Sequence, residues 1–201
     1  MKKLLLFLLL PISLFAQLRD SVYYTNPYFI VNYSETLEGP RSVRYLVACP
    51  TGTASRAGMD FYTEKEIKTS DNKDYEANEW DKGHMAPAAS LNCNRDMLYA
   101  TFTYVNSSLQ QQSLNRGVWK QLEIRERELA MENVMQEDVQ VFIRIEYASN
   151  PNRVPTNAAI PLGYYKELKI GERRECYYFP NMVPVLKELN DYKCNCKNII
   201  K

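Results

Sequence analysis

Only one stretch of this 201-residue chain has the length and pattern of a substantial helix, running from about Leu114 to Met131, whereas short runs rich in Val, Ile, Tyr and Phe recur along its length. Residues 28–34, 43–48, 139–147, 164–170 and 176–179 read as strands, with Arg144 and Glu146 alternating outward in the third. These strands do not alternate with helices, so the crossovers that a parallel sheet requires are missing. The expected class is α+β, a mostly antiparallel sheet with helices beside it. Gly39-Pro40 makes residues 37–41 a turn signal, and the polar stretch 51–78 reads as loops and short elements. With no repeat and no linker rich in Gly, Pro or Ser, one domain is expected from 17 to 201.

The first sixteen residues are set apart. Lys2 and Lys3 precede an apolar run, residues 4–15, that is interrupted only by Pro11 and Ser13 and ends at Ala16, the layout of an export signal. The run is too short for a hydrocarbon layer that needs about 20 residues, so the segment reads as a cleaved signal, leaving no membrane anchor. The expected location is secreted or periplasmic. Without Lys2 and Lys3 the chain has 23 basic against 24 acidic side chains, so an anionic partner must be gripped by a local patch.

Export makes disulfides the expected state of Cys49, Cys93, Cys176, Cys194 and Cys196. Five is odd, which leaves one thiol free or bonded to another chain, and the sequence leaves the pairing open. The spacing of Cys194 and Cys196 lacks the second Cys or His pair of a zinc finger, so the tail reads as stapled.

A single histidine excludes metal sites built from two or three imidazoles and puts any imidazole chemistry at His84. Residues 80–89, Trp-Asp-Lys-Gly-His-Met-Ala-Pro-Ala-Ala, place it after a Gly in a short apolar frame. A strand at 101–105 is expected next, then Asn106-Ser107-Ser108-Leu109-Gln110 and a helix opening near Asn115. Within this stretch Asp81, Gly83, His84, Ala86, Pro87 and Ala88 form a first block, Asn106 and Gln110 a second, and Asn115, Gly117, Trp119, Leu122 and Glu123 a third. In these blocks the chain resembles the secreted DNA/RNA non-specific endonucleases with a ββα-metal active site, the group that includes endonuclease G and sugar-non-specific bacterial nucleases. The family signature runs Asp-Arg-Gly-His-x-Ala-Pro-Ala, Asn-x-x-Pro-Gln and Asn-x-Gly-x-Trp-x-x-Leu-Glu. Likeness is specific from about residue 80 to 127 and looser elsewhere. Lys82 stands where the family usually has Arg, and Leu109 where it usually has Pro. Lysine keeps the charge but loses the bidentate fork for phosphate.

The resemblance implies a ββα-metal nuclease fold and endonucleolytic hydrolysis of DNA and RNA with little sequence preference. It implies His84 as the general base that activates water, Asn115 as the ligand of one Mg²⁺ (Mn²⁺ or another divalent cation also fits), Glu123 holding a water of the cation's shell, and Asn106 as an active-site residue. Arg56, Lys82 and Arg127 are implied to grip the phosphate. The chemistry agrees: phosphodiester hydrolysis needs a base, positive charge at the developing oxyanion and help for the leaving oxygen. In a regular helix Asn115 and Glu123 lie roughly 12 Å apart along the axis and about 80° around it, which disfavours a two-ligand cage. A Ser-His hydrolase would need a Gly-x-Ser-x-Gly elbow, which the sequence lacks. The alternative is a catalytically weak nucleic-acid or protein-binding module on the same fold.

Overall fold

The computed structural model describes residues 17–132 and 137–199; the segment expected to be an export signal lies outside them. Among the described residues eight strands form: β1 Val22–Thr25, β2 Phe29–Ser34, β3 Gly39–Leu46, β4 Trp80–His84, β5 Ser107–Gln111, β6 Gln140–Glu146, β7 Gly163–Ile170 and β8 Arg173–Pro180. Helices α1 Arg95–Ala100, α2 Gln112–Leu114 and α3 Lys120–Glu132 accompany them. Among the described residues no helix is long and apolar enough to cross a membrane.

Six strands make one antiparallel sheet in the order β1-β2-β3-β6-β7-β8, and β4 pairs with β5 in a separate hairpin. Chain neighbours are sheet neighbours except between β3 and β6, where the described residues of the intervening stretch lie outside the sheet. That excursion carries His84, Asn106, Asn115, Glu123, Arg127, Arg56 and Lys82.

Period-two alternation decides which face the excursion covers. Phe29, Val31 and Tyr33 of β2, Val43 and Tyr45 of β3, Val141, Ile143 and Ile145 of β6, and Tyr164 and Leu168 of β7 point to one side and are buried. Against them pack Val105, Leu114, Val118, Trp119, Leu122 and Leu129 from the excursion. Trp119 is fully enclosed, its ring 5.3 Å from Tyr164 and 5.6 Å from Phe179, so Trp119 and Leu122 are core residues as their pattern suggests. Truncating Leu122 to alanine would remove about 2–5 kcal/mol. The opposite face of the sheet carries Ile30, Arg44, Phe142, Arg144, Tyr165, Lys169 and Arg174, which are exposed or half-buried.

Three local expectations are corrected. Residues 101–105 are not a strand: Thr101 terminates α1 with its Oγ1 donating to the Leu98 carbonyl at 2.7 Å, residues 104–106 form a 3₁₀ turn, and the strand begins at Ser107. The β2–β3 reversal lies at 35–38, with Glu38 at φ 52°, and Gly39-Pro40 opens β3. Pro40 has no N–H for the ladder, and the register slips there: Tyr33 faces Pro40 while Asn32 faces Ser42, bulging Arg41 out. The long helix is broken, since Gly117, inside the π-type turn at 115–119, has non-helical φ −104° and ψ −114° and kinks the chain before α3. The helical separation expected for Asn115 and Glu123 therefore does not apply.

Two disulfides answer the pairing question, Cys49–Cys93 and Cys176–Cys196, with Cys194 the free thiol. The second ties the C-terminal tail to β8, and Cys194 N–H donates to the Cys176 carbonyl at 2.8 Å.

Candidate functional site

The β4–β5 hairpin sets His84 at the end of β4, directly opposite Ser107. Gly83 precedes it because any Cβ there would overlap the side chain of Gln110, which lies against the strand backbone. Beyond His84 the chain turns away at Pro87, and that turn is held by Asn106. The Asn106 Nδ2 donates to the carbonyls of Ala86 and Thr101, both at 2.9 Å, and its Oδ1 accepts from Ala86 N–H at 2.8 Å. Its own carbonyl accepts from Met85 N–H at 2.9 Å. Asn106 is wholly buried, with its amide committed to backbone on both sides.

His84 is partly accessible as a residue, but Nε2 is enclosed and has no hydrogen-bond partner among the described residues. The ring packs among Phe61, with centroids 4.8 Å apart, and Phe102, at 5.0 Å edge-on. Burial pushes its pKa down to about 3, and the charge of Arg56 adds to the shift. The imidazole is therefore neutral across the physiological range.

Cations gather on the same aromatic wall. The Arg56 guanidinium sits 5.5 Å from the Phe102 ring centre, and the Lys82 ammonium sits 5.4 Å from both Phe61 and Tyr104. Lys82 also meets Asp60 at 3.4 Å, and the Asp60 carboxyl is held low by the Phe61 N–H and by Lys82. Asp60 is largely exposed, so screening weakens that pair and leaves Lys82 open to a competing anion.

Asp81, on the neighbouring position of β4, joins the hairpin to the helical part of the site. It accepts from Asn115 Nδ2 at 2.9 Å and takes both arms of Arg116, at 2.8 and 2.7 Å. Asn115 is thereby oriented with its donor end on Asp81, which leaves Oδ1 as the end suited to a cation. Among the described residues no three His, Cys, Asp or Glu side chains converge as a metal cage. A single amide oxygen fits a hard cation that keeps most of its waters.

Glu123 lies one helical turn before Arg127, whose guanidinium donates to the Glu123 carbonyl oxygen at 2.7 Å. The i,i+4 contact between them is thus to backbone rather than carboxylate. Burial raises the Glu123 pKa to about 7; Glu126 raises it further, while Lys166 and Arg127 oppose. Beneath it Lys166 and Glu126, both wholly buried, form an ion pair at 2.7 Å. Glu126 also accepts from Tyr45 Oη at 2.9 and 3.0 Å and from Ser90 Oγ at 2.5 Å, and the Lys166 ammonium lies 4.8 Å from the Trp119 ring.

The structure thus brings His84, Arg56 and Lys82 together around Phe61, Phe102 and Tyr104, and ties Asn115 to the same hairpin through Asp81. Glu123 and Arg127 follow on α3. Sequence reasoning missed the aromatic wall and the buried Lys166–Glu126 pair. Parity holds a signal for the latter, because Lys166 stands between Tyr164 and Leu168 on the inward positions of β7. Asp81 was visible as a motif residue, but nothing in the sequence showed which side chains it holds.

Comparison with known proteins identifies the fold and the family. The crystal structure titled "Crystal structure of the EndoG/EndoGI complex: Mechanism of EndoG inhibition" contains a chain that superposes with TM-score 0.76 at 20% identity, covering 92% of this chain and 84% of that one. At that identity the likeness establishes the fold, a ββα-metal nuclease architecture. The mitochondrial nuclease EXOG of Danio rerio is 32% identical over 115 residues, 55% of this chain but 33% of the relative, so the chain spans about a third of that protein's length. The family model described as DNA/RNA non-specific endonuclease matches residues 15–201. The chain belongs to the DNA/RNA non-specific endonuclease family.

Proposed function

We propose that this protein is an exported, divalent-cation-dependent endonuclease that hydrolyses phosphodiester bonds of DNA and RNA with little sequence preference. The observation that carries the reading is a neutral, enclosed imidazole beside cations that have no strong partner. With Nε2 packed among Phe61 and Phe102, Nδ1 of His84 is the nitrogen that takes a proton from the attacking water. A phosphodiester anion held by Arg56 and Lys82 offsets the positive field on His84 and raises its proton affinity as substrate arrives. Contacts to phosphate alone position the backbone without reading bases, which accounts for weak sequence preference. Asn106 acts by fixing the loop that aims His84. Arg127, tied to the Glu123 backbone, supplies further positive charge at the phosphate.

Mg²⁺ is the favoured cation, with Mn²⁺ as a substitute, and Asn115 Oδ1 is its protein ligand. When bound, such an ion neutralises charge on the phosphate oxygens and stabilises the leaving 3′ oxygen. Glu123 orients water on the α3 side of the same space. The two disulfides and the leader-like segment 1–16 support a secreted or periplasmic location.

The test is cleavage of plasmid DNA and of RNA, with Mg²⁺ and with EDTA, by the parent and by His84→Ala. The reading requires cleavage by the parent that EDTA abolishes and that His84→Ala reduces by at least about 10³-fold, a general-base contribution. Intact substrates with the parent at neutral pH, or a His84→Ala rate equal to it, sink the reading. The pairing of Lys82 with Asp60 keeps a second reading in view, a binding module that cleaves poorly. Restoring the fork with Lys82→Arg separates the two, since an enzyme gains rate and a binding module does not.

A further inference from the structure

The sheet face turned away from His84 has a chemical pattern of its own. Residues directly opposite one another across β6, β7 and β8 form a row, Arg144–Tyr165–Tyr178, and beside it Arg44 of β3 faces Phe142 of β6. The Arg144 guanidinium lies 4.2 Å from the Tyr165 ring centre, Tyr165 lies 4.4 Å from Tyr178, and the Arg44 guanidinium lies 4.3 Å from the Phe142 ring centre. Lys169 and Arg174 face each other further along β7 and β8, beyond the outward pair Glu167 and Cys176. All of these residues stand on the outward parity, and none belongs to the core that the excursion covers.

The charges on this face are not cancelled locally. Asp20 is spent on Arg41, Glu167 on Arg174, and Glu146 accepts from Tyr178 Oη at 2.9 Å. Among the described residues Arg44, Arg144 and Lys169 have no carboxylate within ion-pair distance. Arg144 donates to the Asn198 carbonyl at 3.0 Å, which fixes its guanidinium over Tyr165 without neutralising it. A chain with 23 basic and 24 acidic side chains outside its first sixteen residues thus holds three cations without a carboxylate partner on one sheet face, Arg44 and Arg144 over aromatic rings and Lys169 beside them.

Flat guanidinium and aromatic surfaces interleaved with positive charge, carried on antiparallel strands, suit unpaired bases and the phosphates between them. A folded protein partner would need apolar patches, and a duplex would present its bases edge-on inside grooves; neither uses stacked planes. We infer that this face is a second nucleic-acid surface, a stacking platform for single strands on the side of the sheet opposite the hydrolytic site. It holds a long substrate while a distant phosphodiester of the same molecule reaches His84. The choice of nucleic acid rests on the proposed nuclease activity, but the binding itself does not depend on cleavage.

The experiment is fluorescence anisotropy in EDTA with a labelled oligonucleotide of about 20 nucleotides, longer than one stacking site occupies. The parent is compared with Arg44→Gln/Lys169→Gln and with Tyr165→Leu, the latter keeping an apolar side chain while removing the ring. We expect affinity to fall about tenfold in each. In the double variant the slope of log K against log salt falls by about 1.4, two phosphate contacts on a single strand. With Mg²⁺, cleavage of a substrate of a few nucleotides is unchanged in both variants. Parent-like affinity in both variants overturns the proposal, as does an equal loss of short-substrate cleavage, which would place these residues in the hydrolytic site. A changed sedimentation coefficient with unchanged oligonucleotide affinity assigns the face to a second copy of the chain and also overturns it. A parent that binds the oligonucleotide yet never cleaves refutes the nuclease reading and leaves the platform standing.

Discussion

Replacing Asn106 with alanine separates two roles that a motif alone cannot distinguish. The side chain is fully buried and makes three hydrogen bonds, two to the carbonyls of Ala86 and Thr101 and one from the Ala86 N–H. Truncation strands all three backbone groups, each costing about 1–3 kcal/mol when buried without a partner. Partial relaxation brings the total to about 4 kcal/mol, which for a chain of this size lowers Tm by about 8–16 °C. The same change frees the turn after His84, so cleavage measured below the transition should fall while the EDTA-phase affinity for oligonucleotide stays near the parent's. Asn106→Asp is the informative companion: it keeps an acceptor for Ala86 N–H but sets a carboxylate against two carbonyl oxygens. Its deficit should shrink as pH is lowered, because the protonated acid regains one donor. Thermal unfolding followed by circular dichroism, paired with initial cleavage rates, decides the matter. If Asn106→Ala melts within about 3 °C of the parent but cleaves orders of magnitude more slowly, the side chain acts on substrate and the clamp argument is wrong.

Other consequences follow from buried charge. His84 is held neutral with a pKa near 3, below its unfolded value, so its contribution to stability is present above about 6.5 and is lost as pH falls toward 3. Urea unfolding of His84→Gln should accordingly show a shallower loss of stability between pH 6.5 and 4.5, by at most about 1.4 kcal/mol per pH unit; identical slopes would contradict the burial argument. Glu123 has the opposite sign: its pKa near 7 lies above the unfolded value, and ionisation destabilises the fold as pH rises from about 4.5 through 7. Glu123→Gln should therefore be more stable than the parent at pH 8 by about 1–3 kcal/mol, equal to it near pH 4.5, and slower in cleavage. Lys166→Met removes the cation from an enclosed pair and leaves Glu126 with only Tyr45 and Ser90, an expected loss of about 3–5 kcal/mol by chemical denaturation; a change under 1 kcal/mol would show the pair to be dispensable.

Much of this architecture is legible in the residues alone, and the gaps have physical reasons. Strand runs with clean alternation, such as Val141, Ile143 and Ile145 against Arg144 and Glu146, declare both the strand and its buried face. The run at 101–105 has the same composition but is drawn into a helix end and a 3₁₀ turn, because Thr101 and Asn106 satisfy backbone groups that a strand would have paired elsewhere. Strand propensity registers burial, and residues 102, 104 and 105 are buried without being in a ladder. The helix after Leu114 is readable by its pattern, but its break at Gly117 is not, since periodicity carries through the irregular turn. At the site, types and spacings point to His84, Asn115 and Glu123, whereas the ring neighbours of His84 come from residue 61 and residue 102, brought near by loops that no period describes.

The Cys49–Cys93 bond acquires a meaning once the site is laid out along the chain. It closes a covalent ring, and inside that ring lie Arg56, Phe61, Asp81, Lys82 and His84, while Asn106, Asn115, Glu123 and Arg127 lie outside. The proposed site is therefore assembled across a topological seam: the proposed base His84, with Arg56 and Lys82, comes from a closed loop, and the proposed cation ligand Asn115, with Glu123 and Arg127, from the chain beyond it. Besides the continuous backbone, the two halves are tied by the β4–β5 ladder, by Asn106 to Ala86 and by Asp81 to Asn115 and Arg116. Closing a loop of 44 residues removes about 4 kcal/mol of chain entropy from the unfolded state. A reducing compartment would return that freedom to the segment that carries His84, so the oxidation state of one bond weighs on the stability of one half of the proposed site more than on the other.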